Sequence, residues 1–111
     1  MNKVAVLVAV YNSSRYLNQC IDSLLSQTLT DIQIIAIDDC STDDSLSILQ
    51  DYADKDGRVQ VISLPLNSGQ AHARNVGLKS VDAEYVCMVD SDDWLSKDAL
   101  QSAVDIFERN I

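Results

Sequence analysis

Near the start of the chain, Val4-Ala5-Val6-Leu7-Val8-Ala9-Val10 runs apolar for seven residues without a break. Successive side chains of a strand point to opposite faces, so a run with no polar member has no face to give to water. Such a strand belongs in the middle of a sheet covered on both sides, the habit of parallel sheets in α/β proteins. The run is far shorter than the roughly 20 residues a membrane-spanning helix needs. No signal-peptide cleavage pattern follows it in Tyr11-Asn12-Ser13-Ser14.

The rest of the chain alternates helical and strand periods. Ser13 or Ser14 can cap a helix whose apolar residues are Tyr16, Leu17, Cys20, Ile21, Leu24 and Leu25. Ile32 to Ile37 reads as a second strand, ending at Asp38-Asp39. Ser41 with Asp44 resembles a capping box for a helix carrying Leu46, Leu49, Tyr52 and Ala53 on one side. Asp56-Gly57 closes that helix, and Val59 to Ile62 is a third strand. After a loop from Leu64 to Gly69, a helix is expected from Gln70 to Leu78, with Ala73, Val76 and Gly77 as a close-packing face. Glu84 to Val89 is expected as a fourth buried strand. The last helix is expected to begin at Ser96 as N-cap, with a Leu95–Leu100 staple and a stripe of Leu100, Ala103, Val104, Phe107 and Ile111. This order predicts an α/β fold in one domain over residues 1–111: three layers, α/β/α, with a mainly parallel sheet of about four strands and right-handed crossovers.

Ligands of such sheets bind outside the carboxyl ends of the strands, where the strand order reverses. Tyr11-Asn12, Asp38-Asp39 and Asp90-Ser91-Asp92-Asp93 all follow strands and so project to one edge. Three acids within the four residues from Asp90 repel one another. The stretch has two readings: a site for a hard divalent cation, which prefers carboxylate oxygen, or a solvated acidic loop before the next helix.

The formal net charge of −9 excludes a sequence-independent hold on nucleic acid and attraction to an anionic membrane. It leaves room for a small anionic ligand where a cation neutralises the acids. Cys20, Cys40 and Cys87 are odd in number and form no C-x-x-C pair, the pattern of reduced thiols in a cytoplasmic chain. A longer parent could still associate with a membrane through other segments. The chain has no G-x-G-x-x-G after its first strand, no P-loop and no G-x-S-x-G elbow, and its one histidine is His72.

Tyr11-Asn12, Ser26-Gln27-Thr28, Ile37-Asp38-Asp39-Cys40-Ser41-Thr42-Asp43, Asn67-Ser68-Gly69 with Ala73-Arg74-Asn75-Val76-Gly77, and Val89-Asp90-Ser91-Asp92-Asp93 stand in that order along the chain. On these motifs the chain resembles the amino-terminal half of a family 2 glycosyltransferase of the GT-A fold, over nearly its whole length. The resemblance implies a Rossmann-like half that binds a nucleotide-diphosphate-sugar, typically a UDP-sugar, together with Mn²⁺ or Mg²⁺. The D-x-D motif, Asp90-Ser91-Asp92, is implied to hold the cation on the diphosphate. Asp92 would be the direct ligand, with Asp90 facing the ribose or cation-bound water. Asp39 is implied to accept a hydrogen bond from the base and Tyr11 to pack on it. Arg74 would supply positive charge near the base or diphosphate, with Ser68 and Gly69 in the same loop. The glycan or lipid-linked acceptor and the general base of inverting members belong to a part beyond the D-x-D motif. The chain is therefore expected to be truncated before the acceptor-binding part. An uncovered sheet edge is expected too, with self-association through it as a hazard.

Each of these residues also has a structural reading. Asp38 can satisfy backbone donors at its turn, and Asp43 and Asp44 can favour a helix N-terminus. Tyr11 can be a half-buried aromatic, Arg74 an ion-paired helix residue, and Asp93 a solvated neighbour. Two positions depart from the family pattern: Ala9 where Pro is usual and Cys40 where Gly is usual. If the turn after Asp39 needs a positive φ, Cys40 is strained there and Gly is not. Two alternatives stand beside the transferase: a non-catalytic interaction module, and a receiver-type signalling domain. The latter needs an acidic pair after strand one and a lone acid after strand three, where this chain has Tyr11-Asn12 and Ser63-Leu64.

Overall fold

The computed structural model describes residues 1–109. Four strands form one sheet: β1 (Asn2–Val10), β2 (Ile32–Asp38), β3 (Val59–Ser63) and β4 (Ala83–Met88). All pairings are parallel and the order is β3-β2-β1-β4. Four helices alternate with the strands: α1 (Ser14–Leu25), α2 (Ser45–Lys55), α3 (Gln70–Leu78) and α4 (Ala99–Arg109). The chain lays β2 and β3 outward on one side of β1, then returns to place β4 on the other side. The strand order therefore reverses between β1 and β4, where a ligand crevice is expected.

The apolar run is the centre of this sheet, with every residue from Val4 to Val10 buried. Val4, Val6, Val8 and Val10 share a core with Leu17, Cys20, Ile21 and Leu24 of α1, Leu49 of α2, and Leu100 and Val104 of α4. On the opposite face Leu7 and Ala9 pack with Ile35, Ile37 and Ala73. There α3 is the covering helix, and it lies over β1 and β2. Gly77 permits its close approach, because a Cβ at that position would stand 2.6 Å from Ile37 Cδ1.

This uneven cover corrects one expectation. The fourth strand is half-buried, not buried: Tyr85 and Cys87 pack against the core, while Val86 and Met88 are 44% and 48% exposed on the face that α3 does not reach. β4 is also an edge, hydrogen-bonded to β1 alone among the described residues. Tyr85 stacks on Phe107 of α4, their ring centroids 5.7 Å apart, although Phe107 remains largely exposed. Ile111, the expected last member of that stripe, lies outside the described residues.

Helix starts differ from the local signals as well. α4 begins at Ala99, three residues beyond the expected Ser96 cap. Gln27, in the turn after α1, braces this start from outside the helix. Its Nε2 donates to the Ser96 carbonyl at 2.6 Å, and its Oε1 accepts from the buried Leu100 N–H at 3.0 Å. The Ser41–Asp44 capping box is absent: Asp44 occupies the cap position of α2 without a side-chain bond. Asp43 Oδ1 accepts from Ser45 N–H at 2.9 Å in its place. No helix among the described residues is long and apolar enough to cross a membrane.

Candidate functional site

The loops after β1, β2 and β4 meet at the carboxyl edge of the sheet. Asn12 ties the first two together. Its backbone turns through φ +49°, a left-handed position that asparagine tolerates. Its N–H donates to Ser41 Oγ at 2.9 Å, and its Oδ1 accepts from Thr42 N–H at 2.8 Å and Asp43 N–H at 3.3 Å. Asp43 extends the tie by accepting from Ser14 N–H at 3.1 Å, so one carboxylate serves the first turns of α1 and α2. Burial alone would raise the Asp43 carboxyl. The donors at Ser45 and Ser14 outweigh it and bring the pKa down to about 2.

Asp38 and Asp39 diverge. Asp38 is buried, and its Oδ2 accepts from Ser41 N–H at 3.2 Å, the structural role at a turn. Its Oδ1 is buried without a partner among the described residues. Asp39, only 4% exposed, faces the loop before α3. Its Oδ1 accepts from Ser68 N–H at 2.9 Å and Ser68 Oγ at 3.1 Å, and its Oδ2 accepts from Gly69 N–H at 2.8 Å. Burial pushes this carboxyl up, but the three donors prevail and hold it below the ordinary carboxylate range. Gly69 itself sits at φ +92°, a conformation L side chains rarely adopt. Cys40 does turn through a positive φ of +60°, as feared for a position where glycine is usual.

The acidic stretch follows β4. Asp90, Asp92 and Asp93 are exposed, and each offers a carboxylate oxygen within 4.8 Å of the others. Asp93, read above as a solvated neighbour, joins the group. An all-oxygen, solvent-facing donor set of this kind suits a hard divalent cation. Arg74 of α3 reaches it, Nη2 to Asp90 Oδ1 at 3.0 Å. Ser91 turns the other way: its hydroxyl lies 2.6 Å from Ser13 Oγ. Beneath the group, burial and then the charges of Asp93, Asp92 and Asp90 push the Cys20 thiol up to about 12.

Between the first and fourth loops opens a cleft of about 370 Å³ lined by Tyr11, Asn12, Ser13, Tyr16, Gln70, Asp90, Ser91 and Asp92. Of the residues singled out from sequence, Tyr11, Asp90, Ser91 and Asp92 share this cleft. Asp39, Ser68 and Gly69 form a separate hydrogen-bonded cluster. The two are joined by α3, which starts at the Asp39-bound loop and presents Arg74 to Asp90. Sequence reasoning gave no site role to Asn12, Ser13, Tyr16 or Gln70. Asn12 stood in a motif, and that was its one signal. Ser13 was taken for a helix cap, and nothing local pairs it with a residue 78 positions away.

Comparisons with known proteins point the same way. The profile described as Glycosyl transferase family 2 matches residues 5–110. An uncharacterized glycosyltransferase of Haemophilus influenzae is 40% identical over 99% of this chain and 44% of its own length. The structure of S. aureus TarS 1-349 in complex with UDP-GlcNAc superposes with a TM-score of 0.89 at 37% identity, over 96% of this chain and 31% of that one. A mannosyltransferase of Pyrobaculum calidifontis, in complex with GDP-Man and Mn²⁺, gives a TM-score of 0.84 at 26% identity, over 93% of this chain and 31% of that one. The chain thus spans less than half the length of each of these relatives. It shares their α/β architecture, and the receiver-type alternative falls. The chain belongs to glycosyl transferase family 2.

Proposed function

We propose that this chain is the donor-binding portion of an inverting glycosyltransferase, which moves a sugar from a nucleotide-diphosphate-sugar, a UDP-sugar, to a hydroxyl of a glycan or lipid-linked acceptor in the cytoplasm. The observation that carries the reading is the cleft at the β1/β4 reversal, with Tyr11 on one wall and the acids Asp90 and Asp92 on the other. The UDP-GlcNAc complex of TarS, alike over 96% of this chain, supports it.

In this reading Tyr11, 48% exposed, packs on the base. Asp39 keeps one lone pair, on Oδ2, beyond its three loop bonds and accepts the base N–H through it. Arg74 lies close enough to Asp90 to neutralise part of the acidic group and to meet the diphosphate. Asp92, with Asp90 and Asp93 beside it, holds Mn²⁺ or Mg²⁺, which when bound stabilises the charge developing on the departing nucleoside diphosphate. Every acid at the cleft is engaged on the nucleotide side. We therefore assign the acceptor surface and the base that deprotonates the acceptor hydroxyl to a part outside these residues.

Calorimetry of UDP binding with Mn²⁺ tests this. Heat of binding is expected with the cation present, and its loss on adding chelator or on Asp92→Ala. Binding indifferent to both changes would remove the cation from the assignment.

A further inference from the structure

Ser13 is 7% exposed and its backbone is fixed on every side. Its N–H donates to Ser45 Oγ at 2.9 Å, and Ser45 is fully buried. Its carbonyl starts α1, accepting from Tyr16 N–H at 2.9 Å and Leu17 N–H at 3.0 Å. The hydroxyl is thus presented from an immobile base. It donates to the Tyr11 carbonyl at 3.2 Å and lies 2.6 Å from Ser91 Oγ. A hydroxyl has one proton. With the Ser13 proton on Tyr11, the proton between the two serines comes from Ser91.

We propose that Ser13 is a positioning residue for the cation-binding turn, acting through Ser91; this rests on the assignment of Asp90 and Asp92 to the cation. The middle side chain of Asp90-Ser91-Asp92 is drawn into the fold, and its neighbours are left exposed with their carboxylates together. The serine pair is not the turn's only tie: Arg74 Nη2 holds the Asp90 side chain from outside at 3.0 Å, and two contacts reach the Asp90 carbonyl. Asp93 N–H donates to the Asp90 carbonyl at 3.0 Å, and Cys20 Sγ approaches that same carbonyl at 3.7 Å. Mutual repulsion of three carboxylates works to spread such a turn, and the serine pair opposes it from inside. A second consequence follows for ligand contacts. With the Ser91 proton directed inward, its hydroxyl has none left to donate to a ligand.

The test uses Ser13→Ala, Ser91→Ala and the double variant, with two readouts. Mn²⁺ affinity without nucleotide is read by electron paramagnetic resonance, and exchange of the Asp93 amide by NMR. Each single change is expected to weaken Mn²⁺ binding and to speed Asp93 exchange by about fivefold, the equivalent of one ordinary hydrogen bond. The double variant is expected to match either single one in both readouts, because the two hydroxyls share the one bond that reaches the turn. Should Ser13→Ala fail to fold, Ser91→Ala, at a half-buried position, carries both readouts. Unchanged Mn²⁺ affinity in a folded single variant of a protein that binds Mn²⁺, or single effects that add in the double variant, overturns the proposal. Faster Asp93 exchange in a protein that binds no Mn²⁺ in any form removes the cation assignment and leaves the serine pair as what positions the turn.

Discussion

Replacing Asp39 with asparagine isolates the charge of one buried carboxylate from its shape. The carboxylate accepts three hydrogen bonds, at 2.9 and 3.1 Å on Oδ1 and at 2.8 Å on Oδ2. An amide has one oxygen. Its best orientation keeps that oxygen toward Ser68 and sets its NH₂ against the Gly69 N–H, donor facing donor. A hydrogen bond to a charged group is worth about 1.5–3 kcal/mol. One is lost outright and two become neutral, while the burial cost of the charge is recovered. The net loss is about 2 kcal/mol, one charged hydrogen bond less the burial cost recovered; its sign agrees with a carboxyl held below its ordinary range. The loss appears first as opening of the loop before α3, so amide exchange at Ser68 and Gly69 is the sensitive assay. About 2 kcal/mol corresponds to exchange roughly 30-fold faster, with a fall in Tm of at most about 8 °C. The pH dependence carries the same sign. A depressed carboxyl contributes stability that is complete above its unfolded value and is lost as pH falls through the folded one. Asp39→Asn lacks that acid-side loss at this loop. Exchange within about threefold of the parent protein, about 0.7 kcal/mol, would refute the claim that charge on Asp39 organises the loop.

Three further outcomes follow from the geometry. Gln27→Ala leaves the buried Leu100 N–H without its partner, while the Ser96 carbonyl keeps the Ala99 N–H at 3.1 Å. It is expected to cost about 1–3 kcal/mol in urea unfolding, and a loss under about 0.5 kcal/mol would mean that water replaces the glutamine freely. The Asp43 carboxyl, brought from 3.8 to about 2, contributes stability above the higher value that is lost as pH falls toward the lower. Asp43→Asn is expected to flatten that part of an acid titration followed by circular dichroism, and an unchanged titration would count against its role. A thiol reagent at neutral pH is expected to modify the exposed Cys40 and to leave buried Cys20, its thiol up at about 12, untouched until unfolding. Mass spectrometry of native protein showing equal labelling would contradict this.

The sheet and its helices were legible because their cause is local. An apolar run without a polar face has one home, and helical spacing declares its buried side. The meeting of Tyr11, Asp39 and Asp90 at one edge followed from strand order and the parallel rule. What stayed hidden depends on partners distant in sequence. Val86 and Met88 read as core because apolar residues announce no address, and only the placement of α3 over β1 and β2 leaves them bare. Ser96 and Ser41 carried cap signals that Gln27 and Asp43 overrode from elsewhere. The Ser13–Ser91 pair left no mark at either residue. The Cys40 turn is the reverse case, since a residue standing where glycine is usual points to a positive φ from sequence alone.

The order β3-β2-β1-β4 also sets the timing of folding. β1 is the first strand made, yet one of its two neighbours is β4, with Val4 opposite Tyr85. β2 and β3 can add to β1 while the chain is still short, but the cleft has only one wall until β4 docks. Pairings this distant in sequence close slowly, because their loop entropy falls due before any contact rewards it. The cleft is therefore complete only in a chain whose β4 has docked on β1. A nucleotide that binds there stabilises the finished sheet by mass action. It slows unfolding and does little to hasten folding, since no earlier form of the chain has both walls to offer it.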